Sequence, residues 1–283
     1  MAACAIVGYN RNMPQATAPR TRPQLSPLYT EREIYLSIII PAYNEERRIG
    51  KTLRAIAAYL SQQPFASEVI VVDNASTDNT TGAARAHEHE FSRLTLLNER
   101  GRGKGDAVRA GMLAASGRVR LFTDADNSTD ISHFDKMRVL FNQGYDVVIC
   151  SRDAKDVAGA TQAVPQAWHK RMLGNIGNLF IQLVAVPGIW DTQCGFKAFR
   201  QTAAERIFSA ARIEKFGFDV EALALARRFG YRIGIVPAYW VNDAESRVSL
   251  KSYLEVFWEV ARVRYYLLTG AYDERAPIRH ESF

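Results

Sequence analysis

Leu121-Phe122-Thr123-Asp124-Ala125-Asp126-Asn127 is the stretch on which the reading of this chain turns. Val119, Leu121 and Phe122 make an apolar run that predicts a buried strand, and the run ends in two carboxylates one residue apart. Successive strand side chains point to opposite faces, so Asp124 and Asp126 leave on the same side with only small Ala125 between them. Paired carboxylates at a strand end, facing the crevice of an α/β sheet, suit Mg²⁺ or Mn²⁺. Such a hard cation takes oxygen ligands from one or two carboxylates and from substrate phosphates. A metal–diphosphate site is the functional reading. A solvated turn, with Asn127, Ser128 and Asp130 as turn formers, is the bland one.

The neighbouring segments bear on that choice. Tyr35 to Ile40 is a β-rich run closed by Pro41, and Glu68 to Val72 is a second. Near-continuous apolar strands of this kind are typical of parallel sheets buried on both faces. Polar clusters follow each: Pro41-Ala-Tyr-Asn-Glu45, and Asp73-Asn-Ala-Ser-Thr-Asp78. Asn44 is expected to cap a helix running through Ile49, Leu53, Ile56 and Leu60. A short third strand, Leu94 to Leu97, precedes Asn98-Glu-Arg-Gly-Arg-Gly-Lys104-Gly105, which opens a helix over Ala107 to Ala115. The glycine spacing matches neither the dinucleotide fingerprint nor the Walker loop. Glycines at a helix N-terminus still let backbone N–H groups approach an anion, although a basic surface turn would look the same.

A helix over Ile131 to Phe141 and a fifth strand over Asp146 to Cys150 complete an alternating β–α pattern. That pattern predicts an open, mostly parallel sheet with helices on both faces. Ligands in such sheets bind beyond the carboxyl ends of the strands, where all three polar clusters would converge. The second half is less regular. Lys155 to Gln166 is a small-residue loop and a candidate lid. Trp168 to Val186 contains Arg171 and then a mainly apolar helix. Gly188 to Lys197 is a tight polar–aromatic segment, and Phe218-Asp-Val-Glu221 opens another helix. Tyr231 to Val236 reads as a strand, and Ser249 or Leu250 to Leu268 as a long helix.

Lys and Arg total 36 against 30 for Asp and Glu, a net charge of +6. The excess suits anionic ligands without choosing among them. Three cysteines, Cys4, Cys150 and Cys194, are too few and too scattered for a disulfide framework or a zinc site, and the last two read as buried thiols. No apolar run approaches the roughly 18 residues of a membrane span. Residues 1–34 read as a flexible leader, 35–273 as one domain with halves at 35–150 and 151–273, and 274–283 as a tail.

The succession Pro-Ala-Tyr-Asn-Glu, Val-Val-Asp-Asn-Ala-Ser-x-Asp, Arg-Gly-Lys-Gly and Asp-Ala-Asp resembles the family 2 glycosyltransferases of GT-A fold. Asp191-Thr-Gln-Cys-Gly-Phe-Lys197, Phe218-Asp-Val-Glu221 and Leu268-Thr-Gly-Ala271 with the following Tyr resemble the dolichyl-phosphate β-glucosyltransferases, close relatives of the mannosyl enzymes. The resemblance implies a Rossmann-like α/β sheet flanked by helices, with a helical C-terminal portion. It departs at Asn74, where a second Asp is usual, and at Ser128, where the mannosyl enzymes place a metal-binding Gln.

The same resemblance implies transfer of a sugar, glucose from UDP-glucose, to a polyprenyl or dolichyl phosphate. The GDP-mannose reaction is the alternative. Pro41, Ala42, Tyr43, Glu45 and Asp73 would hold the base and ribose, with Ala125 beside them. Asp124 and Asp126 would carry Mg²⁺ or Mn²⁺, with Asp126 the catalytic member, and Lys104 would add charge at the diphosphate. Asp191 and Asp219 are candidates for orientation or base roles, and Asp219 reads equally as a helix cap. Arg152, Arg171, Lys197 and Arg247 are candidates for the acceptor phosphate. The apolar run beyond Arg171 fits either a helix packed on the sheet or one lying in a membrane interface. A peripheral enzyme on the cytosolic face, with no nucleic-acid partner, is the expectation. Two rivals are weaker. A nucleotidyltransferase would carry a Gly-rich Arg-Lys signature at the first strand, and a nucleic-acid-binding module would interleave aromatics with its basic patches.

Overall fold

The structure is a computed structural model and describes residues 33–99, 101–162, 177–240 and 250–273. Arg171, Arg247, the start of the Trp168–Val186 helix, the end of the Lys155–Gln166 loop and residues 1–32 of the N-terminal leader lie outside the described residues.

Seven strands form one sheet in the order β3-β2-β1-β4-β7-β5-β8. They are β1 (Leu36–Ala42), β2 (Ser67–Asp73), β3 (Leu94–Asn98), β4 (Val119–Thr123), β5 (Val147–Ser151), β7 (Phe196–Arg200) and β8 (Ile233–Pro237). Pairing is parallel throughout except at β7, which runs antiparallel between β4 and β5. Two short strands, β6 (Thr161–Gln162) and β9 (Tyr239–Trp240), pair separately.

Alternation along β1 explains why the strand is apolar at nearly every position. Ile39 packs into a core with Ile70, Val72, Phe122 and Ile149, whereas Ile38 and Ile40 pack on the opposite face with Val69, Val71 and Leu121. The first face is covered by α3 (Lys104–Ala114), α6 (Gln201–Ala210), α7 (Phe218–Arg228) and α8 (Leu250–Thr269). On the second lie α1 (Ile49–Leu60), α2 (Thr80–Arg85) and α4 (His133–Asn142). A helix over 177–184, α5, sends Ile181 into the first core and leaves Leu183 76% exposed. Cys150 and Cys194 are buried free thiols, as their contexts predict.

Two elements differ from the sequence reading. The Gly188–Lys197 segment does not end as a turn: its last residues start β7, and α6 follows at once. Every residue from Phe196 to Phe199 is buried because β7 fills the gap between β4 and β5. Asn44 does not cap α1, whose N-cap is Arg48. Its φ is +55°, and its Oδ1 accepts the Thr77 N–H at 2.8 Å, so it joins two loops instead.

Candidate active site

Three loops leave the carboxyl ends of β1, β2 and β4 side by side. The first two are zipped together. Asn44 N–H donates to Ser76 Oγ at 2.9 Å, Glu45 N–H to Thr80 Oγ1 at 2.8 Å, and Asn79 N–H to Glu46 Oε2 at 3.2 Å. Each of the three loops contains one non-glycine residue in the left-handed region: Asn44, Ala75 and Asn127, with φ of 55°, 59° and 55°. Asn tolerates this conformation, but Ala does not do so readily, and strained backbone of this kind concentrates at ligand sites. Pro41 and Ala42 are buried in β1, and Tyr43 beyond them is 51% exposed. Glu45 faces Arg48 through two contacts of 2.6 Å. Asp73 Oδ1 accepts the Ser76 N–H at 3.3 Å.

The loop after β4 is fixed from two sides. Thr52 of α1 donates its hydroxyl to the Ala125 carbonyl at 2.6 Å, and Ser128 N–H donates to Asp126 Oδ1 at 2.9 Å. Asp124 N–H donates to the Gly195 carbonyl at 3.1 Å, and a Cβ on Gly195 would lie 2.0 Å from Asp124 Oδ2. Residue 195 must therefore be glycine for the Asp124 carboxylate to occupy its place. Lys104, the first residue of α3, brings Nζ to 2.5 Å from Asp124 Oδ1. Burial works against the charge of Lys104, but Asp124, Asp219 and Asp126 outweigh it and hold the ammonium above its ordinary value. Among the described residues no three His, Cys, Asp or Glu side chains converge as a metal cage. The acidic donors here are the pair, Asp124 and Asp126, both partly exposed.

Across the crevice, carboxylates and cations neutralise one another. Arg152 clamps Asp191 with Nε to Oδ2 and Nη2 to Oδ1, both at 2.8 Å, and its backbone N–H adds a third contact. Burial would raise the Asp191 carboxyl; Arg152 outweighs it and holds the group below the usual carboxylate range. Lys197 is completely buried, with Nζ 2.6 Å from the Cys194 carbonyl and 2.5 Å from Asp219 Oδ1. The expectation of a cation offered to an acceptor is amended here, because the Lys197 charge is held inside the protein by Asp219. Burial pushes the Asp219 carboxyl up, against the pull of Lys197 and Lys104. Asp219 lies inside the first turn of α7 and makes no cap, since Gly217 is the N-cap residue.

Two motifs of the second half meet in the core. Glu221 accepts the N–H groups of Arg212 and Ile213 at 2.8 and 3.0 Å, and Tyr272 Oη donates to it at 2.7 Å. The strap around residues 212–217 packs on the start of α3, where a Cβ on Gly105 would lie 2.7 Å from the Ile213 carbonyl. Glu221 thus supports Lys104 at one remove. Sequence reasoning missed Thr52 and Asp156. Asp156 accepts the N–H groups of Trp190 and Asp191 at 2.7 and 2.8 Å and the Ser151 hydroxyl at 2.7 Å. Neither residue stands in a pattern that singles it out; only the fold brings them to the site.

A mostly parallel sheet with two carboxylates and a lysine at its carboxyl edge, faced by an antiparallel insertion, is the architecture of a glycosyltransferase. Residues 37–208 match the profile of Glycosyl transferase family 2, and the chain belongs to that family. It is similar to a dolichyl-phosphate beta-glucosyltransferase of Drosophila melanogaster, 35% identical over 254 residues, covering 84% of this chain and 76% of the relative. The Homo sapiens protein of the same description is 31% identical and covers 84% and 77%. Among solved structures, glucosyl-3-phosphoglycerate synthase from Mycobacterium tuberculosis in complex with Mn²⁺, UDP-glucose and phosphoglyceric acid superposes with a TM-score of 0.62. It is 18% identical and covers 84% of this chain and 80% of its own, a likeness of fold.

Proposed function

We propose that this chain transfers glucose from UDP-glucose to the phosphate of a polyprenyl lipid such as dolichyl phosphate, with inversion and with a divalent cation bound. One observation carries the reading. The Asp124–Asp126 loop and the Asp191–Lys197 segment meet at the end of β4, in a chain whose relatives are dolichyl-phosphate beta-glucosyltransferases.

The hard oxygens of Asp124 and Asp126 would hold Mg²⁺ or Mn²⁺ beside the donor diphosphate. When bound, the cation supplies Lewis-acid stabilisation of the departing nucleoside diphosphate. Lys104 exchanges part of its contact with Asp124 for the diphosphate. The loops after β1 and β2 take the base and ribose through Tyr43, Glu45 and Asp73. An acceptor phosphate oxygen bonds to the anomeric carbon as the bond from that carbon to the diphosphate oxygen breaks. A phosphate monoester has its second pKa near ~6 and is largely dianionic at neutral pH, so no protein base need take a proton. Asp191, held below its ordinary range, suits the role of anchor for Arg152 rather than base. Arg152 is offered as the acceptor-side cation among the described residues through the guanidinium edge that Asp191 does not hold, and Arg171 and Arg247 remain candidates outside them.

Among the described residues no helix is long and apolar enough to cross a membrane. Leu179 and Leu183 are 52% and 76% exposed on α5, whereas Phe180 packs on Phe257 at a ring distance of 5.0 Å. A peripheral protein on the cytosolic face, with these leucines toward the lipid, fits that division. Leu179→Ser with Leu183→Ser should then reduce sedimentation with liposomes without lowering Tm. The deciding assay supplies polyprenyl phosphate with UDP-glucose or GDP-mannose, with and without EDTA. A metal-dependent glycolipid from UDP-glucose is expected. Product from GDP-mannose alone would place the chain with the mannosyl relatives, and no glycolipid from either donor would defeat the reading.

A further inference from the structure

His133, the first residue of α4, is used by nothing described so far, yet both of its ring nitrogens are engaged. The residue is buried, and Nε2 lies 3.0 Å from the backbone nitrogen of Tyr239 in β9. Nδ1 lies 2.8 Å from the Asp130 carbonyl oxygen. A backbone N–H can only donate and a carbonyl can only accept, so both contacts demand the same neutral tautomer, with the proton on Nδ1. The ring also packs edge-on against Phe196, the first residue of β7, at 6.3 Å.

These contacts join two parts of the crevice. Asp130 ends the loop that begins with Asp124 and Asp126, and Thr129 of the same loop forms a bridge to Trp240. The Trp240 ring in turn carries the Arg152 guanidinium 5.2 Å from its centroid, and Arg152 holds Asp191. We infer that His133 is a positioning residue that sets the placement of the Arg152–Asp191 pair relative to the carboxylate loop. It does so through the Tyr239 bond to β9, while the Asp130 carbonyl, which the His133 backbone N–H also reaches at 3.1 Å, fixes the tautomer that lets Nε2 accept. The assignment of Arg152 to the acceptor side rests on the function proposed above.

Three variants separate the two bonds. His133→Phe keeps the ring and loses both. His133→Gln places an acceptor near the Nε2 position and keeps the Tyr239 bond. His133→Asn keeps a donor for Asp130 only. The expected result for His133→Phe is a KM for polyprenyl phosphate raised about tenfold, the scale of losing the one bond that reaches β9, with the UDP Kd unchanged in calorimetry. His133→Gln should recover most of this and His133→Asn should not. If His133→Phe does not fold, the Gln and Asn pair decides alone. Wild-type kinetics in His133→Phe, an equal loss of UDP affinity, or rescue by Asn as complete as by Gln would each overturn the role. Hydrogen exchange at the Tyr239 amide reads the bond without any acceptor: protection in wild type and Gln, loss in Phe and Asn. Unchanged protection across the set overturns the inference, whereas a wild-type protein that makes no glycolipid overturns the functional reading instead.

Discussion

The two sides of the crevice use the same residue types in opposite ways. Beyond β1, β2 and β4, carboxylates stand partly exposed at the ends of strands, on loops whose backbone is strained at Asn44, Ala75 and Asn127. Across from them, Asp191 and Asp219 are buried and each is closed by its own cation, Arg152 and Lys197. A partly exposed carboxylate, even one touching a cation as Asp124 touches Lys104, stays within reach of a ligand and costs the fold little when removed. A closed one is committed to its partner, and its loss leaves an uncompensated charge. Function and stability should therefore separate between the two sides.

The sharpest way to break this contrast is at Asp126. Asp126→Asn should reduce transfer about a thousandfold or more, the scale of losing a preorganised transition-state charge contact, with Tm unchanged. Transfer that persists in EDTA would remove the metal role. On the closed side, Lys197→Met should destabilise the protein by about 3–5 kcal/mol in urea unfolding, because Asp219 is left buried and unpaired. Replacing both, Lys197→Met with Asp219→Leu, should return most of that loss. If the single variant is as stable as wild type, Lys197 does not hold the Asp219 charge.

Gly195→Ala tests the boundary between the sides. It forces the Asp124 carboxylate out of a place only 2.0 Å from the new Cβ. A loss of kcat of about 100-fold is expected, as for a reacting group misplaced by an ångström. An unchanged kcat would mean that the carboxylate relocates without cost.

Acid titration distinguishes Asp191 from Asp219. The folded Asp191 carboxyl lies below its unfolded value, so its stabilisation is present above the ordinary Asp range and is lost as pH falls through the depressed folded value. Asp219 is pushed up, so its contribution has the opposite sign and favours the folded state as pH falls. The stability deficit of Asp191→Asn relative to wild type should shrink in acid, and a deficit constant with pH would refute the clamp. The smallest effect is expected at Ala75→Gly. Relief of a positive φ should be worth up to about 1 kcal/mol, partly offset by the entropy of glycine in the unfolded chain.

The same contrast explains what the sequence discloses. Strands β1, β2 and β4 are legible because both faces of a parallel sheet are buried, and each polar cluster follows a visible apolar run. Strand β7 is hidden because Lys197 looks like a surface residue until Asp219, more than a helix away along the chain, is brought against it. Asn44 misleads for a related reason. Its amide has two uses, cap or inter-loop bond, and only the position of Thr77 selects the second. Thr52 and Asp156 serve backbone groups of distant loops, a role that leaves no periodic or spaced signature.

The antiparallel strand also has a consequence for how the chain is made. Leu121 of β4 pairs with Ala198 and Val148 of β5 with the same residue, so β4 and β5 never touch as partners and wait for a strand that is synthesised after both. Until residues 196–200 leave the ribosome, the nascent protein holds the β3-β2-β1-β4 sheet with the edge of β4 unpaired and β5 as a lone apolar strand, whose other neighbour, β8, is made later still. Open edges of this kind invite pairing with other chains, and such long-range closure is slow. Chaperone demand during translation should peak in that interval and fall in two steps, when β7 slots between its neighbours and when β8 covers the outer edge of β5.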